Sequence, residues 1–242
     1  MFFLPLFFLK LVDGFGIAAA LLPAIILMIY IYRRDRIEKE PAGLLFGLIV
    51  LGMLAGIISI VIETVGTKIL NLSQLSPDSP SYAIVMAFLV VAAVEEGAKY
   101  VLLKARTWSN PNFNFRFDAI VYSVFVSLGF AAFENVLYVM QYGISVAPVR
   151  AILSIPGHMS FAVIMGTFLG RAKLFERYGD EKSASRNRTC AYVFAVLLHG
   201  FFDACLMIGS PLAMILFIVF VIGLYIGIFR LVRRESATDS PV

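Results

Sequence analysis

Seven apolar stretches, at 14–32, 43–65, 81–103, 117–141, 147–170, 189–208 and 211–230, each approach or exceed the length an α-helix needs to cross a bilayer, about 20 residues. Lipid offers the backbone no hydrogen-bond partners, so a spanning segment must satisfy its own N–H and C=O groups as a helix or a closed barrel. These stretches are too long and too continuously apolar for barrel strands. Composition agrees: a 242-residue chain that is 60% hydrophobic, with 22 Phe and only 15% charged residues, lacks the polar surface of a water-soluble domain. The expected fold is all-α, a polytopic transmembrane helical bundle of about seven spans, with residues 1–242 forming one domain in the cell membrane.

The basic residues predict an orientation. Cytoplasmic loops retain Lys and Arg. Arg33, Arg34, Arg36 and Lys39 follow the first span; Lys104, Arg106 and Arg116 follow the third. Arg171, Lys173, Arg177, Lys182, Arg186 and Arg188 follow the fifth, and Arg230, Arg233 and Arg234 end the seventh. The opposite side holds Lys10, Lys68 and Arg150. The N-terminus is therefore expected outside and the C-terminus in the cytoplasm, with 231–242 as a short tail. "NLSQLSPDSPS" reads as the largest external loop. "MFFLPLFFLK" has neither a basic start nor a small-residue cleavage site, so 1–13 reads as an interfacial approach to the first span. The net charge of +4 then reflects topology and contact with anionic membrane lipid, with no case for nucleic acid. Cys190 and Cys205 both fall in a span without metal-ligand spacing and read as inert thiols.

Charged and imidazole groups inside the spans carry the functional signal. A charge at a helix centre costs about 2.5–3.5 kcal/mol on insertion scales, so such residues persist where they face the bundle interior and have partners. "VVAAVEEGAKY" places Glu95, Glu96 and Lys99 in the third span; "FAAFENVLYV" adds Glu134, "IPGH" His158, and "LLHGFFD" His199 and Asp203. The chain has two histidines, and both lie within spans. Lys99 can meet Glu95 at i+4 and Glu96 at i+3, and His199 can meet Asp203 at i+4. Adjacent glutamates point about 100° apart, so one is expected to face the interior while the other supports a neighbouring helix. Glu134 can bond Asn135 or nearby backbone. Pro156 predicts a bend beside His158. Glu63 and Asp118, near span ends, are expected to snorkel towards water as structural residues.

Each of these groups has a structural explanation when taken alone: a neutralised ion pair, a helix-locking hydrogen bond, a histidine at a bend. Their joint occurrence at similar depth favours a single polar site. Paired carboxylates beside a lysine can share one proton. One can then serve as general base to water while an imidazole protonates a leaving amine or stabilises an oxyanion. Acid–base peptide hydrolysis of this kind needs no covalent nucleophile. A serine mechanism lacks a GxSxG elbow. Zinc is an alternative, since two histidines and several carboxylates could supply ligands, although HExxH is absent.

The order of these motifs resembles the PrsW family of intramembrane proteases, within the superfamily that includes the CAAX prenyl endopeptidases. The resemblance runs over about 22–205, through "LPAIILMIYIYRRDRIEKEP", "EEGAK", "FDAIVYSVFVSLGFAAFENVLYV", "GHMSFAVIMGTFLG" and "LLHGFFD". It implies a glutamic-type or metal-dependent endopeptidase that cuts single-span membrane proteins. Family members are associated with cleaving anti-sigma factors and so with regulated proteolysis in stress responses. Carried over by motif, Glu95 and Glu96 match the family's paired glutamates, Lys99 its lysine, Glu134 the second motif, His158 the third, and His199 with Asp203 the last. Gly97 and Ala98 stand where bulkier residues often follow the pair. The expected mechanism has Glu96, helped by Glu95 and Lys99, activating water with no cofactor required. His199 and His158 would stabilise the oxyanion or transfer a proton, Asp203 would orient His199, and Glu134 would complete the cavity. Two other functions would use the same charges: a non-catalytic scaffold that presents substrates, and a proton-coupled transporter. The chain shows no internal repeat of the kind many transporters carry.

Overall fold

The computed structural model describes residues 14–242, with Phe15 described by its backbone alone. The expected interfacial stretch at 1–13, and Lys10 with it, lies outside the described residues. Seven helical spans cross the bundle. The first is α1 (Gly14–Arg34) and the second α2 (Ala42–Asn71). The third combines α3 (Pro80–Val85), a π-helical segment Met86–Ala92 and α4 (Ala93–Thr107). The fourth is α5 (Asp118–Tyr142). The fifth joins a 3₁₀ turn (Ile144–Val146), α6 (Ala147–Ile152) and α7 (Ser154–Arg177). The last two are α8 (Glu181–Ile208) and α9 (Pro211–Ala237). No strand occurs among the described residues; Phe115 and Pro241 form an isolated bridge.

Several helices outrun their apolar stretches and continue through polar residues. α2 continues to Asn71 and α8 begins at Glu181. α9 reaches Ala237, so only the last few residues of the expected 231–242 tail are non-helical. Those residues are docked. The Phe117 N–H donates to Asp239 Oδ1 at 2.9 Å, Arg116 N–H to the Ser240 carbonyl at 3.0 Å, and Val242 N–H to the Asn114 carbonyl at 2.8 Å. Asp118 does not snorkel. It is buried and accepts from the Asn114 and Phe115 N–H groups at 3.0 and 2.7 Å, closing the turn that starts α5. Nearby Glu40, in the α1–α2 loop, accepts the Tyr122 hydroxyl at 2.6 Å, and burial pushes its carboxyl up to about 7. Burial likewise pushes Asp35 up to about 6.

α5 forms the centre, packed by α1, α2, α4 and α7 and buried along most of its length, whereas α9 stands mostly at the rim. Between helices in lipid, close backbone approach replaces hydrophobic burial as the packing device. Gly52 of α2 and Gly129 of α5 provide it: a Cβ at Gly52 would strike the Val126 carbonyl, and one at Gly129 the Ile49 backbone.

Two irregularities shape the interior. The π-helical segment Met86–Ala92 lies just before the glutamate pair, where such widened turns often mark functional sites. It places Phe88 over Gly200 of α8, where any side chain would collide with the ring. The second is the break at Leu153 (φ −106°, ψ −64°) between α6 and α7. The bend expected beside His158 therefore falls before Pro156, which sits in the first turn of α7, where its missing N–H costs nothing. The Tyr225 hydroxyl of α9 donates to the Leu153 and Ile152 carbonyls at 2.6 and 3.2 Å and holds the break in place.

Candidate active site

The helices bring the seven expected site residues into one cluster. Lys99 Nζ is its hub, donating to Glu96 Oε1 at 2.7 Å and Glu95 Oε2 at 3.1 Å and lying 3.4 Å from His158 Nδ1. Its ammonium also sits 3.9 Å from the Phe130 ring centroid, a cation–π contact inside a nearly water-free surrounding. His199 Nδ1 lies 2.9 Å from Glu96 Oε1, and its Nε2 is 3.4 Å from Asp203 Oδ2. His158 Nε2 is 3.2 Å from Glu134 Oε2.

These distances constrain the tautomer of His158. An ammonium can only donate, so Nδ1 facing Lys99 must carry a lone pair, and the proton sits on Nε2, where it donates to Glu134. His199 differs: its Nδ1 faces the Glu96 carboxylate and its Nε2 the Asp203 carboxylate, so both ring nitrogens meet acceptors. Aromatic walls fix both rings. Phe161 stacks on His199 at 4.9 Å between centroids, and the two imidazoles meet edge to face at 5.2 Å. Ser127 of α5 donates to the His158 carbonyl at 3.0 Å and sets the depth of α7 against α5.

The paired glutamates differ in role, as their divergence on the helix predicts. A cavity of about 520 Å³ is bordered by Glu63, Glu95, Glu134, His158, His199 and Asp203, and extends along α2 to Lys68 and Asn71. Glu95 faces it. Glu96 lies behind, fully buried, bonded to Lys99 and to His199 of α8, with its Oε2 buried and without a hydrogen-bond partner.

Two members of the site escaped sequence reasoning. Glu63, expected to snorkel, instead borders the cavity with a buried, unpartnered Oε1. It lies eight residues before the end of α2, about 12 Å along the axis. The signal was the length of α2, which is 30 residues rather than the expected 23. Arg150, counted on the outer side of the membrane, reaches inward from α6. Its Nη2 donates to Glu134 Oε2 at 2.7 Å and its Nε to Asn135 Oδ1 at 2.9 Å, with the guanidinium 3.8 Å from the Tyr138 ring centroid. Glu134 is thus held by Arg150 and His158 rather than by Asn135, whose amide donates to the Ala20 carbonyl of α1 at 2.7 Å.

The cluster also has the composition of a metal site. Glu95, Glu96, His158 and His199 each offer a ligand atom, all within 4.8 Å of one another. Two carboxylates and two imidazoles suit zinc. Ligating histidines characteristically hold their other ring nitrogen against a carboxylate, as Glu134 and Asp203 do here. The orphaned Glu96 Oε2 is an acceptor that a cation would satisfy, and the Lys99 ammonium already lies among the donors. On these observations the residues fit the ion.

Comparison with known proteins agrees. Residues 40–228 match the family described as PrsW family intramembrane metalloprotease. The chain is 35% identical over 214 residues to Protease PrsW of Clostridioides difficile (strain 630), covering 85% of each chain. It is 32% identical to Protease PrsW of Oceanobacillus iheyensis over 92% of this chain and 97% of that one. Against Protease PrsW of Bacillus subtilis (strain 168) it is 32% identical over 77% and 80%. No solved structure matches. With seven membrane-spanning helices around a buried cluster of carboxylates and imidazoles, the chain is a multi-pass membrane peptidase and belongs to the PrsW family.

Proposed function

We propose that this protein hydrolyses a peptide bond of a single-span membrane protein inside the 520 Å³ cavity, with water activated at the Glu95–Glu96–His158–His199 cluster. The observation that carries this reading is that both histidines turn Nδ1 into the Glu95–Glu96–Lys99 group, His158 towards Lys99 and His199 towards Glu96, with Nε2 against a carboxylate. Glu96, His158 and His199 would hold a zinc ion, with Glu95 beside it at the cavity surface. Bound there, zinc would supply a Lewis acid and lower the pKa of a bound water towards neutrality.

The chain's own residues do the rest. Glu95 is the carboxylate at the cavity surface and takes the proton of the attacking water; cavity exposure favours it over Glu96 for this role. Glu96 stays behind it, balancing Lys99 and fixing His199. Asp203 and Glu134 hold the two imidazoles by their outer nitrogens, and Arg150 anchors Glu134. Phe161 and Phe202 line the cavity beside His199 and restrict water to the polar wall. A second reading rests on Lys99 itself. Its ammonium, 2.7–3.4 Å from three of the four residues, would serve as the resident cation of a metal-free, carboxylate-based peptidase.

The test is reconstitution in liposomes with a panel of single-span substrates. Glu95→Gln is expected to abolish cleavage while expression, thermal stability and metal content persist. Undiminished cleavage by that variant would sink the assignment. Elemental analysis and chelation separate the two readings. Stoichiometric zinc, with activity lost on chelation and restored by Zn²⁺, supports the first; full activity in metal-free protein supports the second.

A further inference from the structure

A second cavity, of about 510 Å³, opens on the flank of the bundle between α7, α8 and α9, away from the catalytic cluster. Ile164 and Leu198 wall it, and Gly223 and Gly227, one turn apart on α9, open its floor. A Cβ at either glycine would meet nothing within 4 Å, so the trough is open against the helix backbone there. At one end lie Arg230 and Arg234, again one turn apart. Arg234 is partly neutralised by Glu235 at 2.9 Å. Arg230 is exposed and has neither an ion pair nor a hydrogen bond from its side chain among the described residues.

An apolar trough running along at least one turn of α9 and ending in an unneutralised guanidinium at the end of a spanning helix has the polarity of a lipid: a chain below and an anion above. Arginines near span ends reach headgroup level, where anionic lipid is their available counter-charge. A second copy seated twofold on this face would set its own Arg230 beside this one, like charge against like. We propose that the trough binds one anionic phospholipid, with an acyl chain along Gly223 and Gly227 and the phosphate at Arg230 and Arg234.

The probe is phosphatidylglycerol against phosphatidylcholine with identical acyl chains, read by native mass spectrometry of the full chain released from nanodiscs. The parent protein is expected to retain one phosphatidylglycerol in preference to phosphatidylcholine. Arg230→Gln should lower that retention about fivefold. Gly227→Leu, whose Cβ meets nothing within 4 Å and whose side chain fills the trough without adding or removing a charge, should lower it at least as much. Arg33→Gln, removing an exposed arginine from a different helix end, should leave it unchanged. Equal retention of the two lipids, unchanged retention in Gly227→Leu, or an equal loss in Arg33→Gln would each overturn the proposal. So would a dimer that Gly227→Leu converts to monomer, which would make the trough a contact between copies.

Discussion

The pair Arg150–Glu134 offers the sharpest quantitative test of how the site is held. The guanidinium makes charged hydrogen bonds to Glu134 at 2.7 Å and Asn135 at 2.9 Å, and Glu134 passes the constraint to His158 at 3.2 Å. The paired side chains are only 14% and 20% exposed, so water screens them weakly. A hydrogen bond to a charged group is worth about 1.5–3 kcal/mol. Interhelical hydrogen bonds in membrane proteins average less, about 0.6 kcal/mol, because the unpacked helices find other partners. Here both partners are charged and the geometry is short, so a coupling of about 2 kcal/mol is expected. The assay is a double-mutant cycle of Arg150→Gln and Glu134→Gln, read in cleavage rate at saturating substrate and in reversible unfolding in mixed micelles. If Arg150 acts through Glu134, each single variant should slow turnover about 30-fold, the factor that 2 kcal/mol gives. The double variant should be little slower than either single one. Additive effects within about 0.5 kcal/mol would mean that the two residues act independently and would refute the chain from Arg150 to His158.

Other expectations follow from the packing and the interfacial loops. Gly52→Val should destabilise the bundle by about 1–3 kcal/mol, because a side chain there strikes the Val126 carbonyl; an unchanged melting temperature would show that α2 and α5 are less closely packed than described. Glu40 has its carboxyl raised from 4.5 to about 7, so the folded protein binds the extra proton across that interval. Stability from this group is therefore full below about pH 4.5 and declines as pH rises through 7. Glu40→Gln keeps an acceptor for Tyr122 and should flatten that decline, melting higher than the parent at pH 8 but not at pH 5; identical pH profiles would contradict it. Tyr225→Phe removes the donor at the Leu153 break and should cost about 1 kcal/mol while speeding amide exchange in the first turn of α7. Exchange left unchanged there would remove Tyr225 from the positioning of His158.

The residues most legible in the sequence were those whose presence in lipid is expensive. Glu95, Glu96, Lys99, Glu134, His158, His199 and Asp203 each interrupt an apolar run, and the structure gathers all of them. What spacing could not supply was reach. Arg150 sits on a six-residue helix whose direction is set by the breaks at Gly143 and Leu153, neither of which fixes where a long side chain ends. Glu63 was misplaced because the apolar run ends before the helix does, which made an interior residue look terminal. Asp118 was misread for the opposite reason: its solvent is replaced by two backbone N–H groups of the preceding turn, an exchange that a hydropathy pattern does not record.

The π-helical segment Met86–Ala92 makes the site depend on the number of residues as well as their identity. A residue accommodated in a widened turn displaces everything after it by about 100° relative to a regular helix. Closing the segment into a regular α-helix of the same length would change neither composition nor hydropathy. At constant length that closure would turn Glu95, Glu96 and Lys99 by this angle, away from His158 and His199 together. Losing one residue of 86–92 as the helix closes would cancel the rotation and keep the motifs facing one another, whereas losing one from the regular turn after 92 would part them with every motif still readable.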